Sequence, residues 1–186
     1  MEPREQKIVD AAIGQFMRYG VRRTTMNDIA TAAGVVRQTL YNVYDSKETV
    51  LRAAMRRLTD QSVAAVEAES GTAGSLGEKL DIACEHFALR PWDQINASPD
   101  ADDLISGVMN VAVEEMKDAD RRYRAVFAGM LAPHKGAIES AGLTVDGLAD
   151  LVQTSVKAFK HKADDRAHLE ALLRSLKTMV LRIATG

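Results

Sequence analysis

The sequence predicts an all-α protein in two parts, a small N-terminal head and a larger helical body. Three observations carry that prediction. The four prolines stand at 3, 91, 99 and 133, leaving long proline-free stretches. Ala, Leu, Glu, Lys, Arg and Met are abundant, whereas runs of β-branched and aromatic residues are absent, which favours helix over strand. Apolar residues recur three and four positions apart through most of the chain, the period of a helix with one buried face. At 186 residues and 46% apolar, the chain can bury a sizeable core.

The elements follow in order. Residues 4–19 carry Ile8, Ala12, Phe16 and Tyr19 on one stripe, with Val9 and Ile13 beside it, and Gly20 is placed to stop that helix. "TTMNDIATAAG" follows. Thr25 and Asp28 have capping-box spacing, Ile29, Ala30 and Ala33 form the buried side, and Gly34 permits a sharp turn by reaching positive φ without strain. A short helix over 36–43 comes next. Ser46 then caps a longer helix to about residue 68, with Val50, Leu51, Ala54, Met55 and Leu58 inward, expected to tie the two halves together rigidly.

"SGTAGS" (70–75) is the clearest loop. Beyond it, residues 76–90 read as a helix stopped by Pro91, and "PWDQINASPDAD" as irregular or at most a short helix. Residues 103–118 and 120–140 read as helices, the second broken near Pro133. "SAGLTVDG" is a loop, and 146–162 and 164–184 finish the chain as two helices. The expected domains are 1–46 for the head and 47–186 for the connecting helix and body.

The net charge of −2 hides an asymmetry. Residues 1–60 hold ten Lys/Arg against seven Asp/Glu, leaving the rest of the chain at −5. A basic head on an acidic body suits a polyanion that meets the head only. Cys84 is the one cysteine, so no intrachain disulfide is possible and a reducing, cytoplasmic setting is expected. The charged N-terminus, and the lack of any window near 18 uninterrupted apolar residues, predict neither a signal peptide nor a membrane span.

The motif that points to function lies at 25–44. With Gly34 as position 9 of a twenty-residue helix-turn-helix, Ile29 falls at 4, Ala30 at 5, Val35 at 10, Leu40 at 15 and Val43 at 18. Two steeply crossing helices require apolar residues there, and a small one at position 5. The 4–19 helix supplies Ile8, Ala12 and Phe16 to cover them. If Leu40 and Val43 are buried, Arg37, Gln38, Thr39, Tyr41 and Asn42 are left facing outward. Arg suits guanine O6/N7, and Asn and Gln suit adenine N6/N7. Hydroxyl groups suit phosphates. Lys47, at the start of the following helix, is placed for a phosphate too.

The stretch "IVDAAIGQFMRYGVRRTTMNDIATAAGVVRQTLYNVYDSKETVL" resembles the TetR family of bacterial transcriptional regulators. The likeness rests on T-T-x-x-x-I-A, A-G-V, T-L-Y with a following aromatic, and S-K-E-x-x-L. It implies a homodimer that binds a palindromic double-stranded DNA operator, usually as a repressor, with a C-terminal domain for dimerisation and a small-molecule effector. Carried over by position, Thr25, Arg37, Gln38, Thr39, Tyr41, Asn42 and Lys47 would contact DNA. Val36 departs from a common Ser or Thr, removing a cap and a phosphate contact, and Val43 departs from a common aromatic or His.

In the body, helices 146–162 and 164–184 are the expected dimer surface. Phe87, Trp92, Met109, Met116, Tyr123, Phe127 and Met130 form an adaptable set able to line a hydrophobic effector pocket, with Tyr123 and His134 as polar handles and Trp92 as a gate. The same residues also read as plain core. Cys84, Glu85 and His86 are too close together to converge on a metal, and the other histidines lack ligand spacing, so no metal or cofactor is expected. No P-loop, G-x-G-x-x-G or Ser-His-Asp order appears, so no enzymatic activity is expected. The rival reading is a helical small-molecule-binding protein whose DNA-binding head is degenerate.

Overall fold

A computed structural model describes residues 2–186, and these contain helices and connecting turns but no strand. The helices are α1 Pro3–Arg23, α2 Met26–Ala33, α3 Arg37–Val43, α4 Lys47–Ser70, α5 Leu76–Cys84, α6 Arg90–Asn96, α7 Ala101–Val111, α8 Val113–Leu131, α9 Lys135–Ser140, α10 Val145–Lys162 and α11 Arg166–Thr185. A π-helical turn, Glu85–Leu89, joins α5 to α6, and a 3-10 turn, Ala132–His134, joins α8 to α9.

The chain divides into two compact units, one of Met1–Asp60 with Gln94–Asp118 and one of Gln61–Asp93 with Ala119–Gly186. Compactness therefore does not divide the chain once, after residue 46. The head recruits α7 from more than forty residues beyond the end of its own sequence block.

In the first unit, Ile8, Val9, Ala12 and Phe16 of α1 close over Ile29, Ala30 and Ala33 of α2, Leu40 of α3 and Val50, Leu51 and Ala54 of α4. Gly20 is not a simple stop. Its backbone stands at φ 78°, ψ 169°, and one further turn, through Arg23, follows the kink. Only glycine is at ease there. The kink seats α7: the Asp103 carboxylate accepts from the Arg22 backbone N–H at 2.8 Å, and a Cβ on Gly20 would lie 2.5 Å from Asp103 Oδ2.

The second unit packs Phe87, Phe127, Leu131 and Ile138 against Leu148, Val152 and Val156 of α10 and Leu169, Leu173, Leu176 and Val180 of α11. Pro91 does not stop the 76–90 helix. The wider π turn immediately before it gives the ring room that a regular α turn would deny, and the chain stays helical to Asn96. The expected break near residue 119 is absent. The chain breaks instead at Ala112, with φ −109° and ψ 37°, while Pro133 does interrupt the path into α9.

Candidate nucleic-acid interface

The site begins with α2. Thr25 is its N-cap: the hydroxyl accepts from the Asp28 N–H at 3.2 Å, and Asp28 Oδ2 accepts from the Thr25 N–H at 2.9 Å. The Thr25 hydroxyl also donates to Asp28 at 2.7 Å. These bonds hold the Asp28 carboxyl below its usual range. At the other end of α2, Gly34 takes φ 61° and ψ 40°, and its N–H closes on the α2 carbonyls. The Val35 N–H bonds Ala30 O at 3.0 Å, so the turn into α3 is fixed.

α3 is seven residues long and buries one of them, Leu40, which is fully enclosed. Val43, expected inward beside Leu40, is 40% exposed. α3 is too short to bury a second apolar position a turn on, and the inward place at its end goes instead to Tyr44. The Tyr44 hydroxyl donates to Glu5 Oε1 at 3.0 Å, fastening the end of α3 to the start of α1, and burial pushes its pKa up. Sequence reasoning gave Tyr44 no role. The only available signal was an aromatic residue directly after a helix with a single buried anchor.

Arg37, Gln38, Tyr41 and Asn42 all face outward, and Thr39 is half-buried. They are paired along the helix. Arg37 Nη2 donates to the Tyr41 hydroxyl at 3.3 Å, with its guanidinium carbon 5.3 Å from the Tyr41 ring centre. Gln38 Nε2 donates to Asn42 Oδ1 at 2.9 Å. Each pair spans four residues, one helical turn, so the ridge presents ordered groups.

Lys47 is turned inward more than expected. Its Nζ donates to Val21 O at 2.7 Å and Arg22 O at 3.3 Å, capping the last carbonyls of α1. An ammonium has three donors, so one remains for a phosphate. Thr25 has less to offer, because both its N–H and its hydroxyl hydrogen point at Asp28. Arg52 Nε reaches Val111 O at 3.1 Å and Arg56 pairs with Glu115 at 2.8 Å, further ties from α4 to the recruited segment.

The model of the bacterial regulatory proteins of the tetR family matches residues 8–54, the span that holds α1 to α3 and the start of α4. Residues 8–54 thus carry the N-terminal module of the TetR family. A probable acrEF/envCD operon repressor of Escherichia coli strain K12 is 33% identical over 96 residues, 48% of this chain and 43% of that protein. The HTH-type transcriptional repressor KstR2 of Rhodococcus jostii strain RHA1 is 26% identical over 133 residues, 69% of this chain and 63% of that protein. The chain thus matches less than two thirds of either relative's length. The solved structure of the fatty acid degradation regulator FadR of Bacillus halodurans has the same fold, with a TM-score of 0.67, 19% identity, and 97% of this chain and 96% of that one covered.

In the body, outside the matched module, the residues expected to line an effector pocket separate. Met109 and Met116 lie in the compact unit that holds the head, and Met109 is 55% exposed. Phe87 and Phe127 are fully buried, 5.8 Å apart edge to face, and Tyr123 stacks on Phe87 at 4.0 Å, so all three make solid packing. Trp92 is half-buried against the same core. Met130 lines a cleft of about 440 Å³, together with Val63, Val66, Glu67, Lys79, Arg122 and Val126. His134 Nδ1 lies 3.1 Å from Ala184 O, away from that cleft's lining. Among the described residues, no helix is long and apolar enough to cross a membrane.

Proposed function

We propose that the chain is a ligand-responsive repressor that binds a palindromic DNA operator as a homodimer. One observation carries the reading: α3 hides Leu40 and presents Arg37, Gln38, Tyr41 and Asn42 as a single outward ridge. A gel shift on a duplex selected from a random library tests it. The Arg37→Ala/Tyr41→Ala variant loses at least tenfold in affinity, since a good base contact is worth about 1–3 kcal/mol. Equal binding by wild type and variant would overturn the assignment of α3 as the reading helix. Failure to enrich any duplex would instead favour the small-molecule-binding protein with a degenerate head.

Dimerisation through α10 and α11 is supported by the large apolar side chains these helices leave outside. Leu151 is 51% and Met179 56% exposed, although each helix already buries a full stripe of its own. Productive binding of a palindrome needs the two reading helices about 34–36 Å apart, one turn of DNA. Leu151→Glu/Met179→Glu should therefore sediment as a monomer and bind the palindrome far more weakly.

The cleft beside Met130 is the effector site we propose. Its size is in the range of small-molecule pockets, and its valines, with Lys79 and Arg122 outnumbering the single carboxylate of Glu67, suit an apolar molecule carrying an acidic group. Such a molecule switches the protein only if it binds one DNA-reading arrangement better than the other. Met130→Trp should fill the cleft, abolish the thermal shift given by an acidic apolar compound, and leave DNA binding insensitive to it.

A further inference from the structure

We propose that Val36 reads the C5 methyl group of a thymine in the major groove of the operator. The inference rests on α3 being the reading helix. By sequence alone, Val36 counts as a loss, since it replaces a capping and phosphate-binding hydroxyl. Its place in the structure gives it a different use.

Val36 is 70% exposed, the most exposed large apolar side chain among the described residues. Isolated exposed valines are ordinary, but this one stands at the N-cap of α3, directly before Arg37. The N-terminal residues of a reading helix are those that reach base edges in the major groove. Val36 belongs to neither hydrophobic core, so its own chain does not occupy its methyl groups.

The backbone around Val36 is pinned on both sides. The Val35 N–H bonds Ala30 O at 3.0 Å, and Val36 O accepts from the Thr39 N–H at 2.9 Å. A β-branched side chain is also stiff about χ1. The two methyl groups are therefore presented in a set direction, and little freedom remains to be lost on contact.

Chemistry then selects the occupant. A valine can neither donate nor accept a hydrogen bond, so a phosphate or a polar base edge gains nothing from it. The one apolar group displayed in the major groove is the thymine methyl. Val43, the other exposed valine of α3, is at the opposite end of the helix and takes no part in this contact.

The test uses the full-length protein and a duplex selected from a random library. Each thymine of one half-site is replaced singly by deoxyuridine, which removes the methyl and nothing else, and affinity is read by fluorescence anisotropy. Wild type should weaken about fourfold at one thymine of the half-site, the value of one buried methyl, and about fifteenfold when both half-sites are changed. Val36→Ser, checked for an unchanged circular dichroism spectrum, should bind thymine and uracil duplexes alike at that position. If no uracil replacement weakens wild type, or if Val36→Ser responds as wild type does, the inference is overturned while the reading-helix assignment stands. If no duplex is enriched at all, both fall.

Discussion

The short helix α3 and the long helix α11 use their residues in opposite ways. α11 has twenty residues, is N-capped by Asp165, whose side chain accepts from the His168 N–H at 2.8 Å, and buries Leu169, Leu173, Leu176, Val180 and Ala184. α3 has seven residues, no side-chain cap and one buried residue. An isolated helix of that length does not hold in water. It persists because its neighbours hold it: the Gly34 turn before it, Leu40 beneath it and the Tyr44–Glu5 hydrogen bond after it. A helix held by its surroundings can give nearly its whole surface to recognition, whereas a helix that holds its surroundings cannot.

Removing the single anchor of α3 should have the largest effect. Leu40→Ala should cost about 2–5 kcal/mol, the range for emptying a fully buried leucine site, and should abolish DNA binding with it. Leu173→Ala in α11 should cost as much in urea unfolding, yet leave DNA binding near wild type at low denaturant. If Leu40→Ala costs under about 1 kcal/mol, α3 is not held in the way described.

The next effect is at Gly20, where the kink of α1 meets α7. Gly20→Ala meets two obstacles, a backbone conformation that alanine resists and a Cβ 2.5 Å from Asp103 Oδ2. The expected loss is about 1–3 kcal/mol. Asp103→Ala relieves the second obstacle only, so the double variant should recover part of the loss and not all of it. Full recovery would mean that the backbone conformation contributes nothing.

Most of the head was legible in the sequence because its signals are local. The Thr25–Asp28 box, the left-handed Gly34 and the periodicity of α1 each lie within a few residues of what they specify. What was not legible depends on distance or on shape. Asp103 reads as an ordinary acidic residue in a first helical turn, and nothing in the sequence ties it to Arg22, 81 positions away. The break at Ala112 falls on a strong helix former. Pro91 carries a true stop signal, which the preceding π turn overrides. Apolar spacing identified Phe87 and Phe127 as inward, but periodicity cannot tell a residue that fills a core from one that lines a cavity. Val43 was misplaced because the helix-turn-helix register assumes a longer second helix.

A smaller effect separates the capped helix α2 from the uncapped α3. Thr25→Ala should cost about 1 kcal/mol. That cost should depend on pH in a direction fixed by Asp28. Its hydrogen bonds from Thr25 lower the carboxyl pKa in the folded state, so the stability it contributes is present above the unfolded carboxylate value and is lost as pH falls through the folded one. The difference between wild type and Thr25→Ala in urea midpoint should therefore be full at pH 7 and shrink toward pH 3. A difference that stays constant across that range would show that Asp28 takes no part in the cap.

At Val36 the expected change in stability has the opposite sign. Val36 already has the extended backbone of an N-cap, φ −72° and ψ 148°, but no side-chain acceptor. Val36→Ser supplies one, and the side chain it replaces is exposed, so no packing is lost. The variant should be more stable than wild type by about 0.5–1 kcal/mol. On a duplex carrying the thymine it should lose discrimination against uracil at the same time. Stability and methyl reading would then move in opposite directions at one residue, as expected where a helix end gives up a cap to present an apolar surface. A melting temperature unchanged or lowered in Val36→Ser would mean that the α3 N-terminus is already satisfied by other means, and that the two helices differ less in how their ends are held.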